Sequence, residues 1–318
     1  MKSISLPRRR LHREGGPSIV LFLLPYLLLF SIFILLPILL AVLLSFTHYN
    51  GVQSPEFAGL DNYISIFTQD RVFMQNVLPN TLWIAIIVGP LGFALQFLLA
   101  WMLAHVPRAP RTVLSLIFYS PSLTSGIAMA SIWKILFSGD RLGYINSLLL
   151  KWNFIEAPIN FTTDPQYLLP LMIVITLWSS MGIGFLSILA GILNYDNEIY
   201  EAAYVDGLSN RFQEIVYITI PTMKPAMLFA AVMCIVNTFS VGQVAIDLTG
   251  ANPTPQYSGQ TFVTHISDRG FNLYEMGYAA ALSVVMLLLV FLVSRLANKL
   301  FLEQPPRREK RRKKKEAK

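Results

Sequence analysis

Charge is scarce in this chain. Only 14% of its 318 residues are Asp, Glu, Lys or Arg, against about 25% in an ordinary soluble domain. Missing charge implies that much of the surface does not face water. The single cysteine, Cys234, sits inside an apolar run, so neither a disulfide framework nor a thiolate metal site is expected. The histidines His12, His48, His105 and His265 are scattered and fall in no HxxH-type spacing, so no catalytic metal or other cofactor is expected. No GxxxxGK[ST] run is present, so the chain cannot hydrolyse ATP itself and is not expected to be an enzyme.

What the chain has instead is apolar length. Hydrophobic residues make up 54%, and the mean hydropathy is +0.53. A bilayer core of about 30 Å takes about 20 helical residues to cross. Six stretches meet that requirement: 17–46, 81–106, 112–138, 167–194, 223–246 and 278–301. The expectation is an all-α membrane protein of about six transmembrane helices. Its transmembrane domain spans 17–302, between a basic segment 1–16 and a basic tail 303–318. The first stretch follows Arg8, Arg9, Arg10 and Arg13 but is far longer than a signal-peptide core, so it is read as a signal anchor.

Placing both termini in the cytoplasm leaves only Arg71, Lys134, Arg141, Lys151 and Arg269 of the 25 basic residues outside, as the positive-inside rule favours. The tail run 307–318 is read as a solvated topology anchor beside lipid headgroups; no nucleic-acid partner is expected. Tyr26, Trp83, Trp101, Trp133 and Trp152 fall near segment ends, where interfacial aromatics collect. Of the outer loops, 47–80 is expected to hold a short helix after Asp61 with Tyr63, Ile64, Ile66 and Phe67 on its apolar face. Loop 139–166 is expected to be irregular, as is the first half of 247–277.

The interiors of the second, fourth and fifth stretches carry no ionisable side chain. Intramembrane charge marks ion relays and counter-ions, so its absence argues against ion-coupled transport and for an uncharged cargo. Neutral hydrogen-bonding groups are present: Trp178, Ser179 and Ser180 in the fourth stretch, and Asn237, Thr238, Ser240 and Gln243 in the fifth. Amides and hydroxyls beside an aromatic ring suit a polyhydroxylated ligand; equally, such residues bond helix to helix in membranes. Asn237 and Ser240, three residues apart on one face, are the best candidates for lining a pathway.

The most informative segment is the loop 194–225. Asp196 is placed to cap a helix with Glu198 in its first turn, and Gly207 suits the left-handed position after its last turn. Ser209 is placed to cap a second helix, ended by Pro221 and Pro225. A helix–turn–helix with the small residues Ala202 and Ala203 on one side can seat in a groove on another protein.

Glu201-Ala202-Ala203, Asp206-Gly207 and Ile218-x-Ile220-Pro221 resemble the EAA loop of permease subunits of binding-protein-dependent ABC importers. The resemblance extends over roughly 17–300, through Gly59-Leu-Asp61-Asn62-Tyr63, Asn80-Thr81, Ile132-Trp133-Lys134, Leu248-Thr249-Gly250 and Gly277-Tyr278, toward the carbohydrate-type permeases. Two departures stand out. The spacer after Gly207 is one residue longer than usual, which would turn the second helix by about 100°, and Ile220 replaces a leucine. The resemblance implies the type I importer permease fold and a coupling role for Glu201, Ala202, Ala203, Asp206, Gly207, Ile218 and Pro221. It also implies three partners: a second homologous permease, a homodimeric ABC ATPase and an extracytoplasmic solute-binding protein. The cargo would be a sugar, oligosaccharide or polyol, moved by alternating access. A permease for another solute such as a glycerol-phosphate ester, a stand-alone carrier or channel, and a membrane anchor for another complex are the alternatives.

Overall fold

The computed structural model describes residues 16–124, 126–194 and 197–301. Asp196, the arginines ahead of residue 16 and the tail from 302 lie outside them. Four helices are long and apolar enough to cross a membrane: Phe22–Leu44, Phe73–Ala104, Pro165–Leu193 and Met276–Lys299. Two bent pairs raise the number to six: Arg108–Leu123 with Ala128–Leu136, bent by 96°, and Arg211–Thr222 with Lys224–Phe239, bent by 84°.

The first span joins α1 (Gly16–Phe30) and α2 (Leu36–Leu44) through a π-turn at Ser31–Leu35. No residue of its apolar window is buried within the chain. Apolar surface of that extent is untenable in water and belongs against lipid or another apolar surface. After it come a two-stranded hairpin, Thr47–His48 with Glu56–Phe57, and α3 (Asp61–Thr68). Only part of the expected apolar face of α3 is covered. Ile66 is fully buried beside Asn62, while Ile64 and Phe67 are half exposed. Asn62 is buried because its Nδ2 donates to the carbonyls of Ser45 and Thr47, which pins α3 to the end of the first span.

The core is built by α4 (Leu78–Ala104), α9 (Ile183–Leu193) and α13 (Lys224–Phe239). Ala100, Phe185, Ile188, Met227 and Ala230 close their interface. α5 (Arg108–Leu123) and α6 (Gly126–Leu136) follow α4, so the third expected span is a bent pair and not one straight rod. In the loop expected to be irregular, 144–151 forms a helix, α7 (Tyr144–Lys151). Asn146 holds it by donating to the carbonyls of Ser138 and Ile159.

The other two expected spans that depart from a rod do so at hydroxyl–glycine sequences. α8 (Pro165–Trp178) stops before Ser179–Gly182, and α9 resumes at Ile183. α13 stops at Phe239, and α14 (Gln243–Thr249) begins after Ser240–Gly242. At both breaks hydroxyls turn back on the preceding turn: Ser180 to the Leu177 carbonyl, Thr238 to that of Cys234, and Ser240 to that of Val236. Such back-bonding competes with the helix ladder and bends it. A Cβ on Gly242 would lie 2.7 Å from the Val263 Cβ, so only glycine lets α15 (Phe262–Ser267) pack against the second break. α15 is tied on both sides. Thr261, its N-cap, donates to the Val241 carbonyl, and His265 bonds Asp70 at 2.9 Å. The last span, α16 (Met276–Phe301), packs on α13, α15 and α2.

Candidate functional site

Lipid-exposed backbone cannot be left without hydrogen bonds, so irregular backbone at membrane depth is confined to protein interiors and cavity walls. Both breaks obey that rule at one place. Ser179, Ser180 and Gly182 from the first, and Ser240, Val241 and Gly242 from the second, line a single cavity of about 370 Å³. The α5–α6 bend contributes Ser122, Thr124 and Gly126 to the same cavity, and α4 contributes Val88 and Gln96. Gln96 is buried and donates from Nε2 to the Ser180 carbonyl at 2.7 Å, which satisfies backbone freed by the break.

Of the six residues expected along a pathway, Ser179, Ser180, Asn237, Ser240 and Gln243 all line this cavity. Trp178 does not, but its ring meets that of Trp133 edge-on at 5.4 Å, and Trp133 does line it. Trp133, expected near a segment end, thus also forms part of the cavity wall. Sequence reading also passed over Asp247, which does not itself line the cavity but bonds Gln243, which does. It lies one residue beyond the fifth apolar stretch, yet one helical turn after Gln243, whose Nε2 donates to Asp247 Oδ1 at 2.8 Å. A polar residue spaced i+4 from Gln243 was the available signal.

The segment 194–225 holds α10 and a second helical stretch, Arg211–Thr222, which meets α13 at a bend of 84°. α10 (Asn197–Val205) ends as expected, with Gly207 at φ +99°. The Leu208 N–H reaches the Ala203 carbonyl and the Gly207 N–H that of Tyr204, the paired bonds of a Schellman cap. Glu201, Ala202, Asp206 and Gly207 are exposed, with Val205 88% exposed between them. α11 (Arg211–Glu214) is capped by Asn210 and not by Ser209. The Asn210 side chain accepts from the Gln213 N–H, while Ser209 donates its N–H and hydroxyl to Gln213 Oε1. The second helix runs past Pro221, through α12 (Ile220–Thr222), and bends only at Met223. Pro221 and Pro225 sit in first turns, where a missing N–H costs little.

Between α11 and α12 lies a π-turn, Ile215–Thr219. A π-turn accommodates one residue more than an α-turn, and this one falls within the stretch between Gly207 and Pro221. Ile218 and Thr219 within it face inward, 8% and 0% exposed. Glu214, 2% exposed, clamps this segment to the bundle. It is ion-paired to Arg211 at 2.6 Å, accepts from the Tyr204 hydroxyl at 2.8 Å and lies 3.5 Å from His105 Nε2 at the end of α4. Burial pushes the Glu214 carboxyl up, but the Arg211 and Tyr204 hydrogen bonds outweigh it and hold the group below the usual carboxylate range.

At the other end of the bundle, Asp70 gathers four donors: His265, Arg269, Tyr278 and the Phe73 N–H, at 2.8–2.9 Å. Burial opposes ionisation there too. The His265 and Phe73 hydrogen bonds overcome it, leaving the carboxyl far below its ordinary range.

This arrangement has known counterparts. The arabinooligosaccharides transport system permease protein AraP of Bacillus subtilis is 31% identical, over 88% of this chain and 87% of its own length. The lactose transport system permease protein LacF of Rhizobium radiobacter is 30% identical, over 86% and 90%. Among solved structures, a bacterial ABC transporter importing the acidic polysaccharide alginate matches with a TM-score of 0.73 and 25% identity, over 89% of this chain and 94% of that one. The same alginate transporter has been solved in complex with an alginate pentasaccharide-bound periplasmic protein, with the same TM-score. The description of binding-protein-dependent transport system inner membrane components matches residues 96–301, and with the broken spans, the shared cavity and the capped helix pair in place, the chain belongs to that family.

Proposed function

We propose that this chain is the permease subunit of an ATP-driven importer for a neutral sugar, oligosaccharide or related polyol, with the cavity at the helix breaks as its cargo pathway. One observation carries the reading: hydroxyls and amides of Ser179, Ser180, Asn237, Ser240 and Gln243 converge on a cavity walled by Trp133. Sugars offer both hydroxyls and apolar C–H faces to such a wall. The cargo named for the permeases of B. subtilis and R. radiobacter supports the same class.

α10 is the coupling helix in this reading, on the cytoplasmic side with both termini. Glu201, Ala202, Asp206 and Gly207 present its exposed face to a separate ATPase dimer, and Ala203 is half-buried at its edge. Ile218 is buried, so its part is to hold the segment against the bundle. Pro221 helps to set the bend. A second homologous permease closes the other side of the pathway, and a solute-binding protein delivers cargo at the opposite face. The complex of the alginate importer with its periplasmic protein supports that last partner. The transmembrane domain then runs over 17–302, with 194–225 as its coupling loop.

Co-expression with the partner subunits, reconstitution in vesicles and measurement of ATP-dependent uptake test this. Asn237→Ala and Ser240→Ala are expected to weaken uptake while the complex still assembles. Wild-type uptake in both would place the pathway elsewhere.

A further inference from the structure

A separate recess of about 360 Å³ lies where the segment 194–225 meets the bundle. Ala104 and Leu193, the last residues of two spanning helices, both line it. Trp101 and Ile192, in the last turns of the same helices, extend that apolar wall. Ends of spanning helices lie at the depth of the lipid headgroups, where Trp rings collect. The rest of the lining is polar, with Tyr200 and Tyr204 from α10 and Arg211 from α11.

Charge in the recess does not balance. Two arginines, Arg111 and Arg211, line it against one carboxylate, Glu214. The contacts of Arg211 with Glu214, Tyr204 and His105 all run through Nη1. A guanidinium carries five N–H donors in a planar fork, so Nη2 and Nε stay outside that clamp, on a side chain 59% exposed. Arg111, half-buried, reaches the Ala104 carbonyl at 3.4 Å, a long bond for a charged donor. Both arginines touch the end of α4, Arg111 at Ala104 and Arg211 at the neighbouring His105. Surplus cation beside an apolar wall, at headgroup depth, suits an anion that carries an apolar body.

We propose that this recess binds the phosphate of an anionic membrane lipid, held by Arg111 and Arg211 with the lipid's apolar part along the Trp101–Leu193 wall. Zwitterionic lipids carry a phosphate too, but they bring a cation that the arginines repel. The bound lipid touches the ends of α4 and α9 together with α10 and α11. It therefore fastens the segment that bears α10 to the bundle, alongside Glu214, and favours the conformation in which the two stay joined. Anionic lipid is in this way a positive regulator of coupling.

The inference rests on the reading of α10 as a coupling helix at the cytoplasmic face, and its test separates the two. The complex of permeases and ATPase is purified and stripped of lipid. Binding of added phosphatidylglycerol and of phosphatidylcholine is then measured by native mass spectrometry. The wild type is expected to bind phosphatidylglycerol at least fivefold more tightly. Arg111→Gln should weaken it fivefold or more, Arg111→Lys should retain most of it, and Arg108→Gln, outside the recess, should bind as wild type. In vesicles, a rising share of phosphatidylglycerol should raise cargo-stimulated ATPase activity several-fold in wild type and far less in Arg111→Gln. Arg211→Gln would also unpair Glu214, so Arg111 carries the test. Should Arg111→Gln not assemble, Ala104→Leu, which fills the recess and keeps both arginines, replaces it with the same expected loss. Equal binding of the two lipids by wild type overturns the inference, as does equal loss in Arg108→Gln and Arg111→Gln. Displacement of the lipid by excess glycerol phosphate would make the recess a site for soluble phosphates and also overturns it. Unchanged lipid binding in Arg111→Gln with loss of the ATPase from the complex would assign the recess to that partner instead. If no ATPase co-purifies with the wild type, the coupling reading fails, and the lipid count on the chain still decides the recess.

Discussion

Glu214 and Asp70 show how a mostly apolar chain uses its few charges. Each is a buried carboxylate placed where one end of the bundle meets its peripheral helices, and each collects donors from more than one element. The folded value of each is depressed. The stability it contributes is therefore complete above the ordinary carboxylate pKa of about 4 and lost as pH falls through the lower folded value. Thermal unfolding of the detergent-solubilised complex should accordingly be flat in this contribution from pH 5 to 8. In acid below about pH 4 the wild type should lose more stability than Glu214→Gln. Asp70→Asn leaves three side-chain donors without their shared anion, and is expected to lower stability by about 2–4 kcal/mol, read as a fall in the unfolding midpoint. A midpoint unmoved by that change would show that the network is idle. Both escaped the sequence reading: the side-chain partners of Asp70 lie up to 208 residues away, and the Arg211–Glu214 pair, though local, carries no sign in the sequence that it is buried.

At the scale of elements, the ends of helices were more legible than their continuity. Gly207 could be assigned its left-handed role from position alone, because an Ala-rich turn followed by Asp-Gly has one economical ending. The breaks in the fourth and fifth spans were not assigned, although Ser-Ser-Met-Gly and Ser-Val-Gly lay in plain view. A hydropathy window of about 20 residues averages over an interruption of three or four. The π-turn at Ile215–Thr219 was illegible for a different reason. The extra residue was visible, but whether it rotates a helix or bulges depends on what its neighbours bury. Since Ile218 and Thr219 keep their inward places, deletion of Val216 should convert the bulge to a regular turn and preserve most transport. A comparable single deletion within α13 should abolish it, and equal loss in both would remove this account of the spacer. Gly207→Pro forbids the positive φ and the N–H bond to Tyr204. It should leave membrane insertion intact while cargo-stimulated ATPase activity of the complex falls by tenfold or more. Unchanged stimulation would exclude α10 as the coupling element.

The whole molecule is incomplete in a specific sense. Its core of α4, α9 and α13 buries one apolar cluster, yet no residue in the apolar window of its first span is buried within the chain. Membrane character and helix count were readable from composition because lipid imposes them on every residue it touches. The cavity was readable only as a set of residue types, since convergence of three breaks is a property of packing. At this scale one connection stands out. α15 is six residues long, and it is bonded at one end to the carbonyl beside the Val241–Gly242 break and at the other to the Asp70 anchor. A single short helix thus joins the two places directly. A displacement of the Asp70 face would reach the cavity wall within one and a half helical turns, without first straining the spanning helices.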